Sequence, residues 1–520
     1  MARTPLLNAI QKYFQTASVP ETSPSRREFI AGAGALILGA ALPKAVWAGP
    51  KGQRIVIVGG GIAGLSCALK LSDHKVKATV YEASTRLGGR MFSNTGFWKD
   101  NQVSEWCGEL IDTAHKTVQS LANRFNLPLD NLLKAQPIGS EDTFYFDGQY
   151  YPLASFLLDI EPVIVRVQED LKATNYPTSY NQFTPAGKVL DKMSVYEWIE
   201  TRVSGGHASQ LGQLLNTAYA IEYGADTTDQ SSLNLIYLLA YQPQKGNVGV
   251  FGVSDETFHI RGGNESLPRA IAQSLGPDWF QMGKRLVCLE KNKLNEYHLS
   301  FKNSQGVVED VVADAVVLAL PFSVLREIDT TRAGFDALKT KAIQELGMGR
   351  NGKTQLQFNQ RLWNKKGAWP AKSTGSTYSN TGYQCSWEVS RGQIGDSGIL
   401  NFFSGGTVTE NMMTKQAFTS NGNPQAKIDA EAALQAASSV YPGLPDQWNG
   451  KLTQSLPHLN PLMKASYAYY RVGQYTTFGG YEKVTQGRIL FAGDHTSQDF
   501  QGFMEGGASE GQRAAEELLR

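Results

Sequence analysis

The sequence predicts an α/β fold, in which a Rossmann-like parallel sheet is joined to a second domain of the α+β type. Residues 55–58 form a continuous apolar run, which is followed by glycines and then by apolar residues at helical spacing. This order is typical of a buried parallel strand that leads into a helix. Residues 488–519 repeat a strand-then-helix pattern. The chain of 520 residues is also longer than one compact core usually is, which favours two domains.

Residues 1–48 are expected to be an export signal rather than part of the fold. Arg26 and Arg27 stand side by side, and the apolar segment 31–42 that follows is too short for a permanent membrane helix of roughly 20 residues. Small residues precede a cleavage site after Ala48. This order is typical of a secretory signal, and the paired arginines resemble the twin-arginine class. We therefore expect the twin-arginine translocase to export the folded protein to the periplasm or the exterior of a bacterium.

The charge of the mature chain argues against nucleic acid as a partner. Removing residues 1–48 takes away five of the 49 basic and two of the 48 acidic residues, which leaves a net charge of −2. A nearly neutral surface does not attract a polyanion. Cys67, Cys107, Cys288 and Cys385 form no C-x-x-C pair, and the seven histidines show no ligand spacing, so we expect free thiols and no metal site.

A glycine loop follows the first predicted strand. Gly59-Gly60-Gly61-Ile62-Ala63-Gly64 matches G-x-G-x-x-G, and a second strand at residues 78–81 leads to Glu82 and Ala83. Glu82 lies 18 residues after the last glycine of the motif, where an acid can accept hydrogen bonds from a ribose. In such a loop Gly59 permits a tight turn, Gly61 lets the backbone approach a pyrophosphate, and Gly64 lets the helix pack closely on the strand. These residues predict a dinucleotide site.

A second glycine motif, Gly88-Gly89-Arg90 in "RLGGRMFS", resembles that of the FAD-containing amine oxidases. In that family the glycines lie against the cofactor and the arginine faces its diphosphate, so the resemblance favours FAD over NAD. It also implies that Val287, in "KRLVCLE", contacts the adenine through its backbone.

The C-terminal region resembles the same family. Gly493-Asp494 ends the predicted strand 488–492, and a helix is expected from about Gly502 to Leu519. The resemblance implies that Asp494 binds the ribityl or phosphate part of FAD. It also implies that Gly502, Phe503 and Met504 lie beside the pyrimidine ring, at the positive end of the closing helix.

The resemblance implies two discontinuous domains. Residues 53–115, 251–330 and 451–520 would form an FAD-binding domain of the GR2 type. Residues 116–250 and 331–450 would form the substrate-binding domain. The stretch "KASYAYY" contains no cysteine, so FAD is expected to be bound non-covalently.

The resemblance also identifies candidate residues for chemistry. Lys353 falls at the family's lysine that holds a water near the flavin N5. Tyr467 and Phe503 fall where the family places an aromatic cage, and Trp387 is a third candidate for the pocket wall. Phe503 departs from the pattern, because many amine oxidases have a tyrosine there.

The substrate is predicted to be an L-amino acid, with basic ones such as L-arginine or L-lysine as candidates. Oxidation would yield a 2-oxo acid, ammonia and hydrogen peroxide, with a quinone as an alternative acceptor to oxygen. Arg391 and Arg471 are the candidates for holding a substrate carboxylate, since arginine binds carboxylates in bidentate geometry. Glu109 and Asp112 could receive a cationic side chain. The alternative is a monoamine or polyamine oxidase, whose substrate lacks the carboxylate.

Two other classes of function are less favoured, and the oligomeric state, including a homodimer, stays open. A non-catalytic FAD-binding protein could share the scaffold. The segment Gly507–Gly511 matches the G-x-S-x-G of hydrolases, but only nine residues follow it and none is histidine. A catalytic triad in that order therefore cannot form.

Overall fold

The computed structural model describes residues 52–174, 176–242, 250–251 and 254–520. The predicted export signal lies outside these residues, so it stays a prediction. Within the described ranges, no helix has the length and apolarity needed to cross a bilayer.

The strands, in chain order, are β1 (Ile55–Val58), β2 (Thr79–Glu82), β3 (Ser93–Asn94), β4 (Ser104–Glu105), β5 (Leu129–Asn131), β6 (Glu141–Phe146), β7 (Gln149–Tyr151), β8 (Phe258–Ile260), β9 (Phe280–Met282), β10 (Arg285–Lys291), β11 (Tyr297–Lys302), β12 (Val308–Ala313), β13 (Ala315–Leu318), β14 (Gly347–Met348), β15 (Asn351–Phe358), β16 (Ser373–Ser379), β17 (Cys385–Glu388), β18 (Gly398–Gly405), β19 (Phe418–Ser420), β20 (Trp448–Ser455), β21 (Ala468–Tyr469) and β22 (Ile489–Phe491).

The α-helices are α1 (Ile62–Asp73), α2 (Lys116–Arg124), α3 (Leu153–Thr174), α4 (Pro185–Asp191), α5 (Val195–Arg202), α6 (Gln210–Tyr223), α7 (Ser232–Leu239), α8 (Ser266–Leu275), α9 (Phe322–Leu325), α10 (Ala337–Glu345), α11 (Thr407–Glu410), α12 (Pro424–Val440), α13 (Gln474–Phe478) and α14 (Met504–Leu519). Short 3₁₀ turns lie at Lys99–Asn101, Gly206–Ala208, Pro277–Trp279, Leu362–Asn364, Pro445–Gln447, Pro457–Leu459 and Asp494–Thr496.

A five-stranded parallel sheet, in the order β22–β13–β1–β2–β9, forms the first half of the molecule. Its central strands β1 and β13 are buried along their whole length, because both faces of the sheet are covered. Ile55 and Ile57 point to a core shared with helices α1 and α14, and Val56 and Val58 point to a core shared with the antiparallel sheet β10–β11–β12. The predicted Rossmann-like α/β fold is confirmed.

The parallel sheet takes its strands from distant parts of the chain: β1 and β2, then β9 and β13, and finally β22. Helix α14 packs directly on α1, where a Cβ at Gly511 would come within 2.1 Å of the Ala63 carbonyl oxygen. The strand and the helix predicted near the C-terminus are found at Ile489–Phe491 and Met504–Leu519. Ser509 of the G-x-S-x-G match lies inside this helix and donates to the Gly506 carbonyl, so it is no strand-to-helix nucleophile.

An eight-stranded mixed sheet, in the order β19–β20–β15–β18–β17–β16–β6–β7, forms the second half. Helix α12 covers one part of it through Ala430, Leu434 and Ala437, which pack with Leu356 of β15. Helices α3, α5, α6 and α7 form a second core against Phe144 of β6. This arrangement agrees with the predicted α+β character of the second domain.

Two predicted domain boundaries need correction. Helix α2 was assigned to the substrate side, but its Val118 and Leu121 pack with Leu65 of α1 and Ala508 of α14, so it belongs to the core beside the parallel sheet. The boundary at 450/451 falls inside β20, which pairs with β15 and β19 of the mixed sheet. The remaining boundaries stay a prediction.

Candidate active site

A cavity of about 600 Å³ lies between the parallel sheet and the mixed sheet. Most residues predicted to bind the cofactor line its wall: Gly59, Gly61, Ile62, Ala63, Glu82, Ala83, Gly88, Gly89, Arg90, Gly493, Asp494, Gly502, Phe503 and Met504. The predicted pocket residues Glu109, Lys353, Trp387 and Tyr467 line it as well. The fold therefore brings both groups to one space.

Two glycine loops form a cradle of bare backbone on the cavity wall. The Gly88 amide donates to the Gly60 carbonyl at 2.8 Å, and a Cβ added at Gly61 would have only the Gly89 Cα near it, at 3.9 Å. Gly59 has a φ of +108°, and a Cβ there would lie 2.4 Å from the Ala319 carbonyl oxygen. The chain needs glycine at this turn, as predicted, because a side chain would be both strained and obstructed.

Gly64 differs from its neighbours because it does not line the cavity. A Cβ at this position would lie 2.0 Å from the Gly59 carbonyl oxygen, where helix α1 crosses strand β1. Its role is the close packing that the motif predicts.

Two helices begin at the cavity without a side-chain cap. The N-cap residue is Gly61 in α1 and Phe503 in α14, and at neither position does a side chain form a capping hydrogen bond. The first N–H groups of a helix lack internal partners and carry the positive end of its dipole. Both ends therefore suit anionic groups such as phosphate oxygens.

Glu82 and Asp494 place two carboxylates beside the cradle. Glu82 Oε2 accepts from the Gly60 amide at 2.7 Å, so this acid also holds the first glycine loop. Asp494 forms an ion pair with Arg90, whose Nη1 donates to the Ser466 carbonyl at 2.6 Å. Burial, the largest single influence, would raise the pKa of Asp494, but the charge of Arg90 acts together with smaller effects, including hydrogen bonds from Arg90 and the Ala468 backbone, to hold that pKa below its usual value.

Lys353, Glu109 and Trp387 form one hydrogen-bonded unit on the cavity wall. Lys353, in the middle of β15, donates from Nζ to Glu109 Oε2 at 2.6 Å and to the Cys107 carbonyl at 2.8 Å. Trp387 Nε1 donates to Glu109 Oε1 at 2.8 Å. Lys353 and Glu109 are both nearly inaccessible to solvent, so this is a buried ion pair whose carboxylate has a donor at each oxygen.

Aromatic side chains surround the space between the cradle and this unit. Tyr467 donates from its hydroxyl to the Ile221 carbonyl at 3.0 Å, and its ring lies near Gly502, where a Cβ would contact it at 3.5 Å. The Trp387 and Phe403 rings are 5.0 Å apart. Phe503 also lines the cavity and packs beside His115 at 5.0 Å. These rings make the cavity wall largely apolar.

The model of the flavin containing amine oxidoreductase family matches residues 62–519. The chain belongs to this family. FAD is therefore its cofactor. The cradle and the uncapped helix ends would suit its diphosphate, and Asp494 would suit its ribityl or phosphate part, as the sequence predicts.

Similar proteins include oxidases of several substrates. L-amino acid oxidase Bs29 of Bothriechis schlegelii is 24% identical, covering 90% of each chain. The putative L-amino-acid oxidase YobN of Bacillus subtilis is 22% identical, covering 90% of this chain and 95% of that one. Nicotine dehydrogenase of Pseudomonas putida is 23% identical, covering 95% and 97%.

Solved structures share the fold at lower identity. Cyclohexylamine oxidase from Brevibacterium oxydans has a TM-score of 0.73 at 18% identity, covering 90% of this chain and 98% of that one. Putrescine oxidase bound to putrescine has a TM-score of 0.72 at 16% identity, covering 90% and 99%.

Besides Gly64, four residues predicted for this amine oxidoreductase lie off the cavity wall: Asp112, Val287, Arg391 and Arg471. Val287 sits at a bulge of β10 with its carbonyl bound by the Asp329 amide, although its neighbours Arg285 and Leu286 line the cavity. Asp112 is buried behind the wall, where it accepts from Ser254 Oγ at 2.8 Å and from the Glu256 amide at 2.9 Å. Burial raises the pKa of Asp112 to about 6.

Neither predicted carboxylate-binding arginine lines the cavity. Arg471 is about half exposed, lies in a separate surface pocket and pairs with Asp229 at 3.4 Å. Arg391 donates to the Thr374 carbonyl at 2.9 Å behind the wall. Tertiary packing keeps both arginines away from the cavity, and no local sequence pattern predicts that placement.

Four carboxylates on the wall are not predicted from the sequence: Asp142, Glu222, Glu256 and Asp499. Glu222 carried one usable signal, because it follows the run of buried residues 217–221 in helix α6. Acids in such a position are rarely buried without a partner or a function. Asp142 and Glu256 had no comparable signal.

Proposed function

We propose that this amine oxidoreductase oxidises a primary amine that carries no carboxylate to an imine, which water then converts to an aldehyde and ammonia. The bound cofactor supplies the hydride acceptor, flavin N5. Oxygen is the proposed electron acceptor, giving hydrogen peroxide, and a quinone is the alternative. The proposal rests on the charges of the cavity wall. Carboxylates line the cavity, whereas the cations that line it each form an ion pair with a carboxylate of the protein.

The cations that line the cavity within the described ranges each have a carboxylate partner. Lys353 pairs with Glu109, Arg90 with Asp494, Arg86 with Glu265, Lys284 with Glu309, and Arg285 with Glu327. His495 also lines the cavity, but burial lowers its pKa to about 4, so it is neutral. A substrate carboxylate would therefore find no free cation and would face several acids, which disfavours its binding.

The residues of the wall have three proposed tasks. Tyr467, Phe503 and Trp387 exclude water and orient the amine over the flavin, where it must be neutral to react. Lys353 lines the cavity, with its Nζ held by Glu109 Oε2 and the Cys107 and Glu105 carbonyls, and its proposed task is to position a water near the reacting centre. Glu109 holds both Lys353 and Trp387 in place, so the unit keeps its geometry without adding net charge.

L-amino-acid oxidation is the second candidate function. It is supported by the similarity to L-amino acid oxidase Bs29 of Bothriechis schlegelii and to the putative L-amino-acid oxidase YobN of Bacillus subtilis. A basic amino acid such as L-arginine or L-lysine would place its side-chain cation near the acids of the wall.

Peroxide release across a panel of substrates tests the proposal. The panel contains the L-amino acids, several D-forms, short diamines, spermidine, tyramine and phenylethylamine. We expect activity on amines without a carboxylate, and activity confined to amino acids would overturn the proposal in favour of the second candidate. Anaerobic bleaching of the flavin by the best substrate separates an oxidase from a non-catalytic FAD-binding protein.

We further propose that the protein is exported with FAD already bound. The cradle combines residues near 59–64 and 88–90 with residues 493–507, so the cofactor can be enclosed only after the chain has folded. The twin-arginine motif supports this route, because it directs transport of folded proteins. A homodimer is compatible with the proposal and is not required by it.

A further inference from the structure

We propose that Asn264 is a positioning residue, which holds residues 105–109 in the shape that binds the Lys353 ammonium at the cavity wall. The inference rests on the task proposed for Lys353, the positioning of a water near the reacting centre. It adds a buried residue behind the wall on which that task depends. We name residues 105–109 the lysine-binding segment.

The lysine-binding segment supplies each acceptor of the Lys353 ammonium that is found among the described residues. Lys353 Nζ donates to Glu109 Oε2 at 2.6 Å and to the Cys107 carbonyl at 2.8 Å, and the Glu105 carbonyl lies farther away, at 3.4 Å. An ammonium has three N–H donors, so two short contacts leave capacity to donate to a water. The shape of the segment therefore determines where the ammonium lies.

Most of the lysine-binding segment is irregular backbone. Strand β4 ends at Glu105, so the residues that follow lie outside helices and strands. The Gly108 amide donates to the Arg90 carbonyl at 2.9 Å, which ties the segment to the second glycine motif. The carbonyls of Gly108 and Glu109 need other partners, because backbone groups away from water are almost always hydrogen-bonded.

Asn264 contacts both ends of the lysine-binding segment. Its backbone amide donates to Glu105 Oε1 at 2.8 Å, and its Nδ2 donates to the Glu109 carbonyl at 2.7 Å and to the Gly108 carbonyl at 3.1 Å. The side chain is itself fixed, because its Oδ1 accepts from the Ile260 amide at 3.0 Å. Asn264 is fully buried, where hydrogen bonds are stronger than in water. One residue thus fixes the first and the last residue of the segment.

The Glu105 carboxylate anchors this arrangement. It is fully buried, and besides the Asn264 amide it accepts from Ser93 Oγ at 2.8 Å and lies 2.9 Å from His259 Nε2. A buried carboxylate is costly without partners, so these three contacts hold it in one place. The carboxylate of Glu105 therefore joins the segment to β3 and β8, while its carbonyl lies on the side of Lys353.

An asparagine side chain supplies what the contacts of Asn264 require. Its Nδ2 carries two N–H donors, which match the carbonyls of Gly108 and Glu109. The same atom lies 3.9 Å from Met504 Sδ, but a thioether sulfur is a weak acceptor. An aspartate here would keep the size of the side chain and present only oxygens to the two carbonyls. The segment would then shift, and the Lys353 ammonium would shift with it.

A double-mutant cycle between Asn264 and Lys353 in the FAD-loaded protein tests the proposal. We expect Asn264→Asp to lower kcat about tenfold at a similar KM for the amine, because a small misplacement of a positioned group is costly. In the Lys353→Met background the same change should lower kcat less than about twofold, since the group it positions is already gone. Equal losses in the two backgrounds, or full turnover in Lys353→Met, would overturn the proposal.

Asn292 provides the matched control. Its Nδ2 donates to Glu296 Oε2 at 2.9 Å and its Oδ1 accepts from the Glu296 amide at 2.9 Å, at the turn between β10 and β11. Asn292→Asp should therefore leave kcat unchanged. FAD content and melting temperature show which variants are folded. If Asn264→Asp does not fold, His259→Leu loosens the Glu105 carboxylate from a side chain that is 12% exposed, and the same cycle with Lys353→Met applies.

Thermal unfolding tests the same coupling without turnover. Because Asn264 and Lys353 hold the same segment, Lys353→Met should lower the melting temperature less in the Asn264→Asp protein than in the unmodified protein. Decreases that simply add would overturn the proposal. Flavin that no amine reduces would instead overturn the proposed oxidation, and the melting temperatures would still decide whether Asn264 holds Lys353.

Discussion

Lys353 Nζ lies 2.6 Å from Glu109 Oε2, in a buried ion pair that also contacts the Trp387 indole through the other carboxylate oxygen. The pair joins β15 of the mixed sheet to the segment after β4, so a residue proposed for chemistry also connects the two halves of the molecule. Its position at the cavity makes it the first target for substitution.

Lys353→Met is expected to lower turnover about tenfold to hundredfold while FAD stays bound, because it removes a positioned charge from the reacting space. The variant also leaves a buried carboxylate without its cation, which typically destabilises a protein by about 3–5 kcal/mol. Steady-state turnover and thermal unfolding measure both effects. Lys353→Met/Glu109→Gln should recover part of the stability but not the turnover, and Lys427→Met at the surface should change neither. Unchanged turnover in Lys353→Met would show that the lysine is only structural.

Gly61→Ala and Gly64→Ala are expected to fail in different ways, although they alter the same motif. The Cβ at Gly61 would project into the cradle without a clash, so this variant should fold and bind FAD more weakly. The Cβ at Gly64 would meet the Gly59 carbonyl oxygen at 2.0 Å, so this variant should lose stability first. Titration of the apoprotein with FAD and thermal unfolding separate the two outcomes. Equal loss of stability in both variants would contradict the assignment of Gly61 to the cofactor.

FAD is expected to be released in full when the protein is denatured. Cys107 and Cys385 line the cavity, and burial raises the pKa of Cys107 to about 11 and that of Cys385 well above its usual value. Both therefore stay thiols rather than nucleophilic thiolates. Acid precipitation followed by absorbance of the supernatant measures the released flavin. Flavin that remains with the precipitated chain would reveal a covalent bond.

Arg26→Lys/Arg27→Lys is expected to leave active, FAD-loaded protein in the cytoplasm. Lysine keeps the charge of the signal but not the paired arginines that the route recognises. Cell fractionation followed by a peroxide assay measures the distribution. Export at the original level would show that another route carries the chain.

The residues of the cofactor side were predicted from the sequence better than those of the substrate side. The cofactor side is determined by residues close together in the sequence, whereas the substrate side depends on contacts between distant segments. Gly61 and Asp494 occupy local patterns of strand, loop and helix that can be read from neighbouring residues. Glu256 and Glu222 meet only because α6 and the segment before β8 converge on one cavity. Arginine is a residue type that binds carboxylates, which is why Arg471 was a candidate. Its position away from the cavity depends on tertiary packing, which no local sequence pattern predicts.

The parallel sheet has a consequence for how the protein is made. Its edge strand β22, the Asp494 carboxylate and the start of α14 are all encoded after residue 488. A ribosome that stops earlier releases a fragment with one glycine cradle and no second wall for the flavin. Prematurely terminated chains would therefore stay colourless and generate no peroxide, so the oxidising activity appears only in molecules whose synthesis has passed this point.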